Sequence, residues 1–190
     1  MSELNALLEA LVSGEDHRAE EAATSLRGYG ARALPPLRDL LASPDGERRW
    51  WAVRALAEIE AEGVVPLLLE ALEDGDREVR HCAALALRRR PDPQALPALI
   101  ARLESDDRLL ASLAGDALVA LGTPAVPGLI QVLERGSHAA RLEAARSLAK
   151  IGDPTAIPAL FEVLDKTALI DFWAQEGLER MGVGMMFFKA

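Results

Sequence analysis

The chain has one cysteine, Cys82, and only 4% of its residues are aromatic. A single thiol excludes an intrachain disulfide framework and fits a reducing compartment. With few aromatic and β-branched residues there is little to build a sheet core, and close helix packing is favoured instead. Histidine is scarce too: His17, His81 and His138 are the only three. None is followed by Glu and no two stand four apart, so the helix-borne spacing that holds a metal is missing. There is no GxSxG, no P-loop and no Gly-rich dinucleotide turn. No apolar run approaches the roughly 20 residues of a membrane span. The opening MSELNALLEALVSGED has no basic segment and is broken by acids, unlike a signal peptide. A cytoplasmic protein without membrane contact is expected. Cations are in deficit as well, 21 Lys plus Arg against 30 Asp plus Glu, a formal charge of −9. That disfavours nucleic acid as a partner, because such binding draws on cationic contacts to phosphate.

What the chain has is repetition. Its 190 residues are 50% hydrophobic, rich in Ala and Leu, and fit one domain or one continuous array. Prolines recur at Pro35, Pro66, Pro97, Pro127 and Pro158, in steps of 31, 31, 30 and 31. Leucines keep the same period at Leu26, Leu56, Leu87, Leu118, Leu148 and Leu178. Four residues before each stands an alanine: Ala22, Ala52, Ala83, Ala114, Ala144 and Ala174. Eleven residues before each leucine lie Glu15, Asp45, Asp76, Asp107, Ser137 and Thr167, five of them good helix N-caps. Four residues after the leucine, Gly30, Gly122, Gly152 and Gly182 mark helix ends. Each unit therefore opens with a helix A of about 14 residues.

A helix B follows. Asp92-Pro93, Thr123-Pro124 and Asp153-Pro154 read as an N-cap followed by proline at the first helical position. Beyond the second proline, Leu68 and Leu72, Leu99 and Leu103, Leu129 and Leu133, and Leu160 and Leu164 share a face at i, i+4 spacing. The expected organisation is one domain over 1–190. It comprises a half repeat 1–13, five repeats (14–43, 44–74, 75–105, 106–135 and 136–165) and a terminal half repeat with tail, 166–190.

A helix–turn–helix unit of about 30 residues, with DREVRHCAALAL at Asp76–Leu87 and IGDPTAIPALFEVLDK at Ile151–Lys166, resembles the HEAT-like repeat family. The match is to its short variety, found in phycobilisome lyase proteins. The resemblance implies an all-α fold, a right-handed α-α superhelix or α-solenoid. It also implies an Asp/Arg ladder tying successive repeats, with Asp45, Arg49, Asp76, Arg80 and Arg141 on the matching positions and Ala111 and Asp171 interrupting it. One HEAT-like enzyme, deoxyhypusine hydroxylase, holds two irons on His-Glu pairs, which this sequence lacks, so no cofactor or metal is expected. The resemblance leaves open a phycobilin lyase-like enzyme subunit. A DNA-binding or DNA-repair HEAT-like protein fits the acidic charge poorly.

Helix B lines the concave side of such solenoids. Its expected outward positions carry Asp39, Glu70, Gln131 and Glu162 in one slot, and Glu73, Glu104, Glu134 and Asp165 in another. Between them Pro36, Leu67, Ala98, Gly128 and Ala159 form an apolar floor, with Leu67 the largest contact. Such a face suits a partner protein offering a basic or mixed basic and apolar segment. Adjacent residues on a helix point about 100° apart, so Trp50 and Trp51 cannot share one buried face. Trp51 is expected at the core edge. Trp50 is expected outside, as a partner contact or covered by the stems of Arg48 and Arg54, and Phe172 holds the same slot in the last unit. Cys82 is expected buried and inert, and Arg88–Arg90 to complement a helix C-terminus. The apolar tail Met185–Ala190 is expected to cap the last helix or to join two copies. The leading expectation is a non-enzymatic scaffold or adaptor.

Overall fold

The computed structural model describes residues 2–164 and 168–183. Asp165, Thr167 and the tail Met185–Ala190 lie outside the described residues. Among the described residues there are twelve α-helices and no strand. The helix-A positions are α2 (Asp16–Leu26), α4 (Gly46–Leu56), α6 (Arg77–Arg89), α8 (Arg108–Leu121), α10 (His138–Ile151) and α12 (Ala168–Arg180). The helix-B positions are α1 (Glu3–Leu11), α3 (Leu34–Leu41), α5 (Val64–Ala71), α7 (Leu96–Arg102), α9 (Val126–Arg135) and α11 (Ile157–Glu162).

Local chemistry sets these boundaries. Asp45 accepts from the Glu47 amide at 3.0 Å and Asp76 from the Glu78 amide at 2.9 Å. Asp107 accepts from Leu109 and Leu110, and Ser137 from Ala140. Each such bond satisfies a backbone N–H that the helix itself leaves unpaired. Glu15 makes no side-chain cap bond at the start of α2. At the other end, Gly152 closes α10 at φ 69°, ψ 28°, a left-handed conformation that a side chain disfavours. The Asp-Pro and Thr-Pro pairs open short 3₁₀ turns, Pro93–Ala95, Thr123–Ala125 and Pro154–Ala156, rather than the α-helices themselves. The second proline then sits in the first turn of α7, α9 and α11, where its missing N–H leaves no bond unmade.

The chain divides into two compact units, residues 1–90 and 91–190. In the first, α4 packs against both α2 and α6, while α1 lies on α2, α3 on α4 and α5 on α6. In the second, α10 packs against α8 and α12, with α7 on α8, α9 on α10 and α11 on α12. The recurring alanines are all within 2% of complete burial, and the recurring leucines within 1%. Small residues let neighbouring A helices approach closely. A methyl placed on Gly177 would stand 3.0 Å from the Ala149 Cα.

Polar side chains join the layers at the edges of this core. Arg49 donates to both Asp74 oxygens, at 2.8 and 2.9 Å, and to the Ser43 carbonyl at 2.9 Å. Arg80 donates to the Asp74 carbonyl at 2.7 Å, and Arg141 to the Leu133 carbonyl at 3.0 Å. All three arginines thus reach carbonyls in the last turn of the preceding helix B or just past its end. The acid bonded to Arg49 is Asp74, which is not among the ladder positions. The Asp76 carboxylate caps α6, while Asp74 stands two residues earlier in the same turn.

A second set of bonds crosses between A helices. Arg54 pairs with Glu20 of α2 and with Glu58, and Arg89 of α6 reaches the same Glu58 at 3.1 Å. In residues 91–190, Arg146 spans from α10 to Asp116 at 2.9 Å and to the Ser112 carbonyl at 3.0 Å. Lys150 adds a second bond to Asp116. Burial alone would raise the Glu58 and Asp116 carboxyls, but their cationic neighbours outweigh it and hold both below the ordinary range.

Replacing Ala114 by Leu should lower the unfolding free energy by about 2 kcal/mol in urea titration. Ala101→Leu, on an exposed helix-B position, should change it by less than about 0.5 kcal/mol. Asp74 is likewise held low: burial raises its carboxyl, and Arg49 more than offsets this. A depressed folded-state pKa adds stability that is present above the unfolded value and lost as pH falls through the folded one. Asp74→Asn should therefore cost about 1–3 kcal/mol at pH 7. Its stability deficit against the parent should shrink below about pH 4 in parallel denaturation curves.

Candidate interaction site

The helix-B face holds the carboxylates that the repeat register brings outward. Asp39 on α3 and Glu70 on α5 are exposed, as is Glu73 just beyond α5. In residues 91–190, Gln131 and Glu134 on α9 and Glu162 on α11 are exposed, together with Glu104 just after α7. Leu67 departs from expectation. It is 2% exposed, part of a wide buried stripe on α5 that also takes in Val64, Leu68 and Ala71. Leu67 is therefore core and not a partner contact.

The same slot behaves differently on α9, where it holds Gly128. A depression of about 260 Å³ opens there between α7 and α9, lined by Leu96, Pro97, Ile100, Pro124, Ala125 and Gly128. A second one, also about 260 Å³, continues along the helices past Ile100 and Gly128 to Glu104, Gln131, Val132, Arg135 and Gly136. Together they form a furrow that is apolar at one end and polar at the other. Glu104 does part of its work inside the fold: its Oε1 accepts from the Ser137 amide at 3.0 Å, at the start of α10. Gly136 permits that approach, because a methyl there would meet the same oxygen at 2.9 Å. Ile100, Val132 and Arg135 were not singled out from sequence. Their exposure depends on which neighbour each helix faces, and a one-dimensional period does not carry that information.

The aromatic contacts divide. Trp50 is half-buried, not outside as its slot suggested. Its ring meets that of Trp51 edge to face, 4.8 Å between centroids at 88°, and the contact withdraws part of the indole from water. Trp51 is 7% exposed. Arg54, expected as one cover for Trp50, is committed to Glu20 and Glu58. Phe172 is 55% exposed and packs edge-on against Trp173 at 5.2 Å, with Leu169 one turn away and 60% exposed.

Cys82 lies 8% exposed, and burial pushes its thiol up to about 12, so the nucleophilic thiolate is scarce at neutral pH. Among the described residues no group of three or more His, Cys, Asp or Glu is placed to hold a metal ion. No helix among them is long and apolar enough to cross a membrane.

Comparison with solved structures agrees with this architecture. The fold is similar to that of the CpcE–CpcF complex of phycocyanin lyase from Nostoc sp. PCC7120, at a TM-score of 0.60 and 21% identity over 76% of this chain and 96% of that one. It is similar to a designed armadillo repeat protein in complex with the peptide (KR)4, at a TM-score of 0.56 and 22% identity over 95% and 100% of the two chains. An Escherichia coli protein, YibA, superposes at a TM-score of 0.60 and 19% identity over 94% of this chain and 70% of its own. No curated protein matches the sequence. These likenesses establish an all-α solenoid of two-helix repeats. The HEAT-repeat family model matches residues 34–118 and 97–179, most of the sequence, and the chain therefore belongs to the HEAT-repeat family.

Proposed function

We propose that the protein is a non-enzymatic interaction module whose helix-B face docks a segment of another protein, one that carries Lys or Arg beside apolar residues. The observation that carries this reading is the furrow between α7 and α9, apolar at one end, on a helix-B series whose α9 and α11 also carry exposed carboxylates. A chain of formal charge −9 also attracts a cationic segment at long range and repels an acidic one. The designed armadillo protein with the same fold is seen with a peptide of alternating Lys and Arg, which supports the charge preference. Exposed acids on α3 and α5 offer similar chemistry on residues 1–90.

The likeness to the CpcE–CpcF complex supports a second reading, a lyase subunit acting on a chromophore-bearing protein. Visible absorbance after mixing the chain with a bilin and its apoprotein separates the two: an interaction module leaves the spectrum unchanged.

The docking reading is tested by fluorescence anisotropy with a labelled peptide of alternating Lys and Leu. Glu134→Lys with Glu162→Lys should weaken binding about ten-fold, and added salt should reduce the difference between parent and variant. Equal affinity of parent and variant at low salt would rule out the charged face as the docking surface.

A further inference from the structure

Gly128 is the third residue of α9 and has no positive φ, so its backbone does not require glycine. In a helix, glycine is less favourable than alanine by roughly 0.5–1 kcal/mol, because it surrenders more chain freedom. Something other than local conformation accounts for its presence. A methyl built on Gly128 would stand 3.0 Å from the Ile100 Cδ1 and 3.2 Å from its Cγ1. Either Ile100 would be pushed aside or the methyl itself would occupy the floor of the depression. The repeat offers an internal comparison. On α5 the same slot holds Leu67, which is 2% exposed. On α9 the missing side chain leaves an opening.

We propose that the apolar depression bounded by Leu96, Pro97, Ile100, Pro124 and Gly128 is an anchor pocket for one bulky apolar side chain, of the Leu or Phe class, from a partner protein's cationic segment. Gly128 is the residue that sets its specificity. The inference rests on the docking reading above and adds to it the chemistry of one partner position. Size agrees: an apolar cavity of about 150 Å³ admits benzene, and this depression is about 260 Å³. Its walls are the half-exposed Leu96 and Ile100 and the exposed Pro97 and Pro124, with no charged side chain among the lining residues. A charged group seated there would lose water and gain no partner. The flanking charge comes from farther along. The polar half carries one acid and one base, Glu104 and Arg135; the cationic preference comes from the chain's formal charge of −9 and the exposed Glu134 on α9 and Glu162 on α11. The segment that fits is therefore an apolar residue with Lys or Arg around it.

The test uses the full chain and four fluorescein-labelled nonapeptides, identical Lys-rich sequences with Leu, Phe, Ala or Asp at the central position. The Leu and Phe peptides should bind at least ten-fold tighter than the Ala and Asp peptides. Gly128→Ala should erase that preference by weakening the Leu and Phe peptides alone, while the urea midpoint stays level or rises. Should Gly128→Ala lose stability instead, the double variant Gly128→Ala with Ile100→Ala reopens the space and should recover the preference. If all four peptides bind the parent chain equally, the anchor pocket is wrong and the docking face stands. If none binds, the docking reading falls and takes the pocket with it. Retention of the Leu and Phe preference by Gly128→Ala would remove Gly128 from its assigned role.

Discussion

Everything in this structure depends on the burial of one apolar stripe per helix between neighbouring layers. A pair of helices of 6–14 residues has too little surface to enclose its own leucines, and each pair is completed by the next. The alanine four residues before each recurring leucine sets how closely the A helices approach, and Gly177 against Ala149 shows how little space remains. That constraint accounts for the period, because a residue inserted within a helix rotates every later side chain about 100° off the stripe. It also accounts for the freedom of the remaining positions. Once the stripe and caps are satisfied, the outward slots can differ from layer to layer without disturbing the fold.

Charge is used in two distinct ways on this frame. At the edges of the core, arginines face carboxylates and helix-end carbonyls in defined geometry, as Arg49 does at Asp74 and Arg146 at Asp116. Such pairs are partly withdrawn from water, and leaving either member alone there is costly. Farther out, the carboxylates of Asp39, Glu70, Glu134 and Glu162 are exposed. Their contribution to stability is small, and their contribution to the field around the molecule is large. The net negative charge therefore resides where it can act on a partner rather than where it holds the layers.

The fold was largely legible in the sequence, because it is written in period and caps. The alanines, the leucines and four of the N-caps occupy the roles their spacing assigns. The site was legible only in part. A period tells which residues share a face of one helix; it does not tell what stands opposite. Leu67 and Gly128 occupy the same slot, and only the packed structure shows one as core and the other as the floor of an opening. Trp50 and Trp51 posed the same difficulty. Two rings on adjacent positions can find each other, so Trp50 is less exposed than helix geometry alone suggests. The acid bonded to Arg49 lies outside the repeated slots: Asp74 stands two residues before the capping Asp76, and its carboxylate also accepts the Asp76 amide.

Recognition surfaces on a repeat array arise from departures in volume as much as from departures in charge. Where this slot carries a large side chain, as at Leu67, that side chain is buried. Where it carries none, as at Gly128, the backbone spacing is still dictated by the stripe beneath, so the outer rim cannot collapse to fill the gap. The depression depends on the same packing as the fold: the leucines of α7 and α9, Leu99 and Leu129, are fully buried and anchor each helix to its own A helix, α7 on α8 and α9 on α10. A single glycine at such a slot exchanges a little helix stability for a concavity of defined size, and the exposed acids nearby bias what enters it.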